Sequence, residues 1–217
     1  MTFKHQRLQQ GELPLEAWFM TYDIGDGKGN NYWTNMVNSG GTPGMLNSWA
    51  MSNNVLYAVP LWAGARPFLL KQYGIGIYSV TTGGSALTIG IYEDTWDTTR
   101  DFRYPGRRVH DFQLANVTTA GWKSTTLGTP LKLAPNKLYW GALMKDNVGA
   151  CSIAWAGSWR YGVLGKSVDW AYPYVFFNGM YVSTTYGATL PDPYPASATE
   201  DRVGFSMWMR EPNQSGT

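Results

Sequence analysis

Val55-Leu56-Tyr57-Ala58-Val59-Pro60-Leu61-Trp62, Tyr73-Gly74-Ile75-Gly76-Ile77-Tyr78 and Leu87-Thr88-Ile89-Gly90-Ile91-Tyr92 decide the fold class. Each run is short, rich in branched and aromatic side chains, and bounded by turn residues, which is the signature of a β-strand. Successive side chains of a strand point to opposite faces, so Tyr73, Ile75 and Ile77 share one side. Leu87, Ile89 and Ile91 alternate with Thr88, Gly90 and Tyr92 as a half-buried strand would. Gly83-Gly84 supplies the turn between these two runs. Glycine weakens a strand unless something must come close, so Gly74, Gly76 and Gly90 predict positions where a bulky ring or another backbone approaches.

The same grammar continues outward. Further strands are expected at 109–117, 122–127 and 137–145, where Leu138, Trp140, Ala142 and Met144 fall on one face, and again near 151–155, 173–182 and 202–210. In the last of these, Val203, Phe205, Met207 and Met209 alternate with Gly204, Ser206, Trp208 and Arg210. Gly128-Thr129-Pro130 and Ala134-Pro135-Asn136 read as turns. Eight or more strands with no crossover helices predict an all-β fold, a two-sheet antiparallel β-sandwich of jelly-roll type. Residues 1–50 differ: Gly25-Asp26-Gly27-Lys28-Gly29-Asn30-Asn31 and Ser39-Gly40-Gly41-Thr42-Pro43-Gly44 separate short aromatic patches. They predict an irregular N-terminal arm or extended loops with one or two short strands, resting against something else, before a sandwich domain over 51–217. A short helix over 2–10 is also compatible with the sequence.

The chain has 217 residues, enough for one sizeable core. Charged residues make up 15%, and the formal net charge is +2. Soluble domains average about 25% charged residues, so this surface must be kept in solution largely by Ser, Thr, Asn and Gly, or be covered by partners. Nucleic acid is an unsuitable target, because phosphate binding needs a basic stripe. The short cluster Arg100, Arg103, Arg107 and Arg108 reads more simply as a solvated loop. No apolar run approaches the roughly 20 residues that span a bilayer, and Met1-Thr2-Phe3-Lys4-His5-Gln6-Arg7 lacks the apolar core of a signal peptide, so no membrane partner is expected. Cys151, the single cysteine, excludes an internal disulfide and reads as a small buried strand residue.

Chemistry has few candidates. His5 and His110 are the two histidines; no Gly-x-Ser-x-Gly elbow is present, and His110 beside Asp111 reads as a surface pair. Glu93, Asp94 and Asp97 follow a strand beside Trp96 and could serve glycoside hydrolysis if two of them flanked a cleft about 5–10 Å apart. The simpler reading is turn chemistry, with Asp side chains bonding nearby backbone N–H groups. Asp23-Ile24-Gly25-Asp26-Gly27-Lys28-Gly29-Asn30-Asn31 offers hard oxygen ligands for calcium, yet its spacing departs from the EF-hand loop and Lys28 intrudes a positive charge. Phosphate-cradling glycine motifs are missing. The expectation is therefore no catalytic, cofactor or metal site.

Aromatic residues reach 15% of the chain, with 11 Trp and 14 Tyr. Trp155, Trp159, Tyr161, Trp170, Tyr172 and Tyr174 form the densest cluster. Flat rings stack on the apolar faces of sugars, so the cluster is a candidate glycan platform. Rings also fill cores and subunit interfaces, the commoner use.

Leu56-Tyr57-Ala58-Val59-Pro60-Leu61, Leu87-Thr88-Ile89-Gly90-Ile91-Tyr92-Glu93-Asp94, Gly121-Trp122-Lys123 and Lys137-Leu138-Tyr139-Trp140-Gly141-Ala142-Leu143 together resemble β-sandwich virion proteins of tailed bacteriophages, over roughly residues 55–145. Carbohydrate-binding sandwiches share much of this strand grammar. The resemblance implies a virion surface subunit made in the host cytoplasm, of the kind that decorates a capsid as a cement protein or builds head and tail fibres. It implies a homo-oligomer, a trimer by preference, whose partner is the major capsid protein or another virion subunit, and it carries no catalytic residues over. A carbohydrate- or receptor-binding module of a tail or fibre is the alternative expectation.

Overall fold

The computed structural model describes residues 22–23, 31–33, 47–62, 67–81, 83–99, 102–155, 179–201, 205, 207–210 and 212. Thirteen strands are described: β1 (Tyr22–Asp23), β2 (Asn31–Trp33), β3 (Asn47–Ala50), β4 (Val55–Trp62), β5 (Phe68–Val80), β6 (Ser85–Asp97), β7 (Phe102–Val117), β8 (Gly121–Leu133), β9 (Leu138–Lys145), β10 (Cys151–Trp155), β11 (Gly179–Ser183), β12 (Thr199–Asp201) and β13 (Met207–Arg210). Every pairing among them is antiparallel.

Strands β3 to β10 lie in two sheets. The first has the order β3-β10-β5-β8, the second β4-β9-β6-β7. From β3 to β10 the chain changes sheet at every connection except the β6–β7 hairpin, which is the wrapping of a jelly roll, as the alternation predicts. Two additions extend this frame. Strands β11 and β12 continue the second sheet beyond β4. Strand β13 lies on the same edge of β5 as β10, pairing residues 72–75, and carries β2 and β1 beside it. Three short strands, β1, β2 and β3, are thus described within residues 1–50, one more than expected, and all join the first sheet.

The core fills the space between the sheets. Tyr57, Val59 and Leu61 of β4 and Leu87, Ile89 and Ile91 of β6 face Tyr73, Ile75 and Ile77 of β5, all buried. Met207 reaches across to β9, where Gly141 leaves room for it: a Cβ there would lie 2.9 Å from the Met207 methyl. Gly74 meets the expectation of close approach, since a side chain would collide with the Lys123 carbonyl of β8. Gly83 and Gly84 turn the chain with φ of 106° and 70°, conformations that favour glycine.

One expectation is corrected. The strand at 87–92 is buried on both faces rather than one, and β9 is buried at every position from Leu138 to Lys145. The cover on the outer face is a strap, residues 184–198, lying between β11 and β12. Its Leu190 packs on Gly90, where a Cβ would come within 2.6 Å of the leucine methyl. Thr88 donates to the Gly187 carbonyl at 2.8 Å, and Tyr92 donates to the Pro191 carbonyl at 2.6 Å. Tyr194 stacks edge-on against Tyr92 and Tyr104, with ring centres 5.2 Å and 5.8 Å apart, and Tyr104 donates to the Pro195 carbonyl. A sheet covered on both faces reads as a continuous apolar run, which explains the composition of β9. Toward the C-terminus, the strand expected at 173–182 is β11, described from Gly179, and that expected at 202–210 is described as β13. Residues 173–178 and the segment 2–10 lie outside the described residues.

Candidate functional site

The acidic segment that ends β6 is divided between the two faces of the strand. Glu93 and Asp94 sit on opposite faces of the strand. Glu93 is exposed, whereas Asp94 accepts from Trp140 Nε1 at 2.9 Å and is ion-paired with Arg103. Burial pushes the Asp94 carboxyl up to about 6, against the downward pull of Arg103 and of the indole and guanidinium hydrogen bonds. Asp97 Oδ1 accepts from the Thr99 amide at 2.9 Å, the turn chemistry expected of it. Asp94 is thus spent on holding Trp140 and Arg103 in place.

Arg103 is only 4% exposed, and its Nε and Nη2 have no hydrogen-bond partner among the described residues. Of the arginine cluster, Arg108 also bonds inward, to Asp111 at 3.0 Å and to the Leu190 carbonyl, while Arg107 is exposed and Arg100 lies outside the described residues. The solvated-loop reading is therefore corrected. The described members of the cluster fall on β7, where acids nine and three residues away, Asp94 and Asp111, pair with Arg103 and Arg108.

The surface-pair reading of His110 and Asp111 is corrected as well. Alternation puts them on opposite faces. His110 Nδ1 lies 2.7 Å from the Tyr73 hydroxyl on the core side, and burial shifts its pKa downward. Asp111 accepts from the Leu190 amide at 2.6 Å and so anchors the strap. Tyr73 and Tyr92 are held well above the ordinary phenol range by burial, so both hydroxyls remain neutral. Burial likewise lifts the Cys151 thiol to about 11, which leaves it protonated and unreactive at neutral pH. Lys145, with no exposure, spends its three protons on Asn53 Oδ1 at 2.6 Å and the carbonyls of Asp146 at 2.9 Å and Val148 at 3.2 Å. It ties the β3–β4 turn to the β9–β10 loop.

Trp155 ends β10, paired with Asn47 through its backbone. Trp159, Tyr161, Trp170, Tyr172 and Tyr174 lie outside the described residues, as does the interior, residues 24–30, of the calcium-loop candidate. Among the described residues no three His, Cys, Asp or Glu side chains gather to hold a metal, and no helix is long and apolar enough to cross a membrane.

Large exposed rings occur instead on the first sheet. Trp122 is 54% exposed and Tyr78 56%. Trp122 stands opposite Gly76 in the β5–β8 register, and Tyr78 lies two residues along β5, where a bulge shifts the pairing with β10. Beside them Gln72 Nε2 donates to Ser124 Oγ at 2.9 Å. Sequence reasoning passes over this pair because single aromatic residues stand out less than the run at 155–174. The cue is Trp122 among polar strand residues, opposite a Gly-Ile-Gly stretch. No protein-family model matches the chain, and no curated protein is similar to it.

Proposed function

We propose that this chain is a non-enzymatic structural subunit of a virion, a cement protein that decorates the capsid of a tailed phage from the particle surface. The observation that supports the reading best is the asymmetry of the sandwich. The centre of the second sheet, β9 with the described length of β4 and residues 87–92 of β6, is buried on both faces, and its polar groups are largely engaged internally. In the first sheet β8 pairs with β5 alone among the described strands, and much of its length is exposed. Such an edge and face offer area to neighbouring subunits, whether copies of the chain in a trimer or the major capsid protein. Each Å² of apolar surface covered there adds about 25 cal/mol to the work of opening the shell, less the cost of association. The polar groups that enzymes leave poised, here Asp94, Asp111 and His110, are committed to structure.

The test is addition of the purified chain to capsids lacking it, followed by heating. Binding with a rise in the temperature of genome release is the expected result. Failure to bind, or binding with no gain in heat resistance, would remove the cement role.

A further inference from the structure

We propose that Lys145 and Asn53 condense into an internal isopeptide bond, an amide between the lysine Nζ and the asparagine Cγ formed with loss of ammonia. Lys145 has no exposure, and its Nζ lies 2.6 Å from Asn53 Oδ1. A C=O bond is about 1.2 Å long, so Cγ is within about 3.8 Å of the amine, close to the separation from which an oriented addition starts. The two chain segments are fixed against each other. The Asn54 amide donates to the Lys145 carbonyl at 3.0 Å and the Met51 amide to the Cys151 carbonyl at 3.1 Å. Asn54 folds the turn between them with a φ of 56°, a conformation that asparagine tolerates. Reactants held in this way behave as if present at effective concentrations on the order of 10⁵ M or more.

The third member is Asp146. Its Oδ1 is 3.9 Å from Nζ, and its carboxylate is held by the Val148 amide on Oδ1 at 3.1 Å and the Ala86 amide on Oδ2 at 3.0 Å. Asp146 takes a proton from the ammonium, and the freed lone pair adds to Cγ, leaving negative charge on Oδ1. The carboxyl then passes the proton to Nδ2, the Cγ–Nδ2 bond breaks, and ammonia departs. Nζ gives up two protons in all. One completes the ammonia and the other leaves with it as ammonium, so the carboxylate is restored and no oxidant or other reactant is consumed. Asn53 is exposed, which gives the ammonia a way out. Burial favours the product. An ammonium taken out of water is costly, whereas the amide is neutral. Its single N–H keeps an acceptor in the carbonyl of Asp146 or Val148, which Nζ bonds at 2.9 Å and 3.2 Å. The bond joins the turn before β4 to the end of β9, across 92 residues of sequence. A crosslink over so long a loop restricts the unfolded chain, and with one cysteine the chain has no internal disulfide to do the same.

The experiment is the intact mass of the folded full chain, followed by tryptic mapping. The expected mass is that of the sequence, with or without Met1, less one ammonia. The map should contain a branched peptide joining Asn53 to Lys145, with no cleavage after Lys145, since trypsin needs the free amine. Asn53→Ala should restore its full sequence mass and cleavage after Lys145, and lower the melting temperature by on the order of 10 °C. Asp146→Asn should leave most of the chain unlinked. The wild-type mass carries the test by itself if either variant fails to fold. A wild-type chain at full sequence mass overturns the bond, as does ammonia lost without the branched peptide, the result a succinimide at an asparagine gives. Full linkage in Asp146→Asn overturns the proton transfer assigned to Asp146.

Discussion

Strands β8 and β9 are neighbours in sequence and built from similar grammar, yet β9 is buried at every position while β8 is mostly exposed. The difference lies in what covers each sheet. The strap at 184–198 closes the outer face of the second sheet with Leu190, Tyr194 and a set of carbonyls that accept from Thr88, Tyr92 and Tyr104. Strand β8, at the edge of the first sheet, leaves its outer face to solvent at Trp122, Ser124 and Thr126. Burial in a sandwich is thus decided by connections as much as by strands. The sharpest way to break the comparison is a tryptophan on each side. Trp140→Ala empties a fully buried site and strips Asp94 of a donor, and should cost about 3–5 kcal/mol in denaturant unfolding. Trp122→Ala removes a ring that is more than half exposed and should cost within about 0.5 kcal/mol. Equal losses would mean that the two outer faces are equally covered.

A pair of glycines sharpens the same contrast at smaller amplitude. At Gly90, an added Cβ would come within 2.6 Å of the Leu190 methyl and 2.8 Å of the His110 carbonyl oxygen. The methyl can rotate away, but the carbonyl belongs to the β7 backbone. Gly90→Ala should therefore push the strap off the second sheet, at about 1–3 kcal/mol, and raise amide exchange along 186–194. Gly128, on β8, has nothing within 4 Å of the same position. Gly128→Ala should be neutral or gain up to about 1 kcal/mol, as alanine loses less backbone entropy in a strand. A costly Gly128→Ala would show that the β8 edge is covered after all.

The sandwich is legible in the sequence because period-two alternation is a local property. The runs Val55–Trp62 and Cys151–Trp155 coincide with their strands to the residue, and the faces of β9 and of residues 73–77 of β5 follow directly from residue parity. Jelly-roll wrapping is legible for a similar reason, since short turns and eight or more strands leave few ways to close two sheets. The cover over the second sheet is not. Residues 184–198 carry no periodicity, and their effect is exerted through backbone carbonyls, which every sequence possesses. For the same reason, the roles of Arg103 and His110 are hidden: each depends on a partner across a strand pair or across the core, Asp94 and Tyr73, that adjacency in sequence does not reveal. Trp122 comes opposite Gly76 only through the β5–β8 register, which no local pattern reveals.

The two regions should also differ in their response to pH, the smallest of these effects. Asp94, at the Trp140 side of the second sheet, holds its proton up to about 6 when folded, against an ordinary value of 3.8. Because the folded chain binds this proton more tightly than the unfolded chain, Asp94 contributes stability that is fully present below 3.8 and is lost as the pH rises through about 6. His110 acts in the opposite sense. Burial lowers its pKa, so its contribution is present above its ordinary value of 6.5 and is lost as the pH falls through the lowered one. The opposition blunts the net profile, although a tenfold change in proton affinity is worth about 1.4 kcal/mol on its own. Asp94→Asn keeps an acceptor for Trp140 and Arg103 while removing the titration. The difference between wild-type and variant unfolding free energies should therefore drift against the wild type between about pH 4 and 6.5 and then level off. Trp122→Ala, on the exposed face, should leave the shape of the pH profile unchanged. A flat difference between the wild type and Asp94→Asn across that window would mean that water reaches the Asp94 carboxylate, and with it that the second sheet is less tightly sealed than the strap implies.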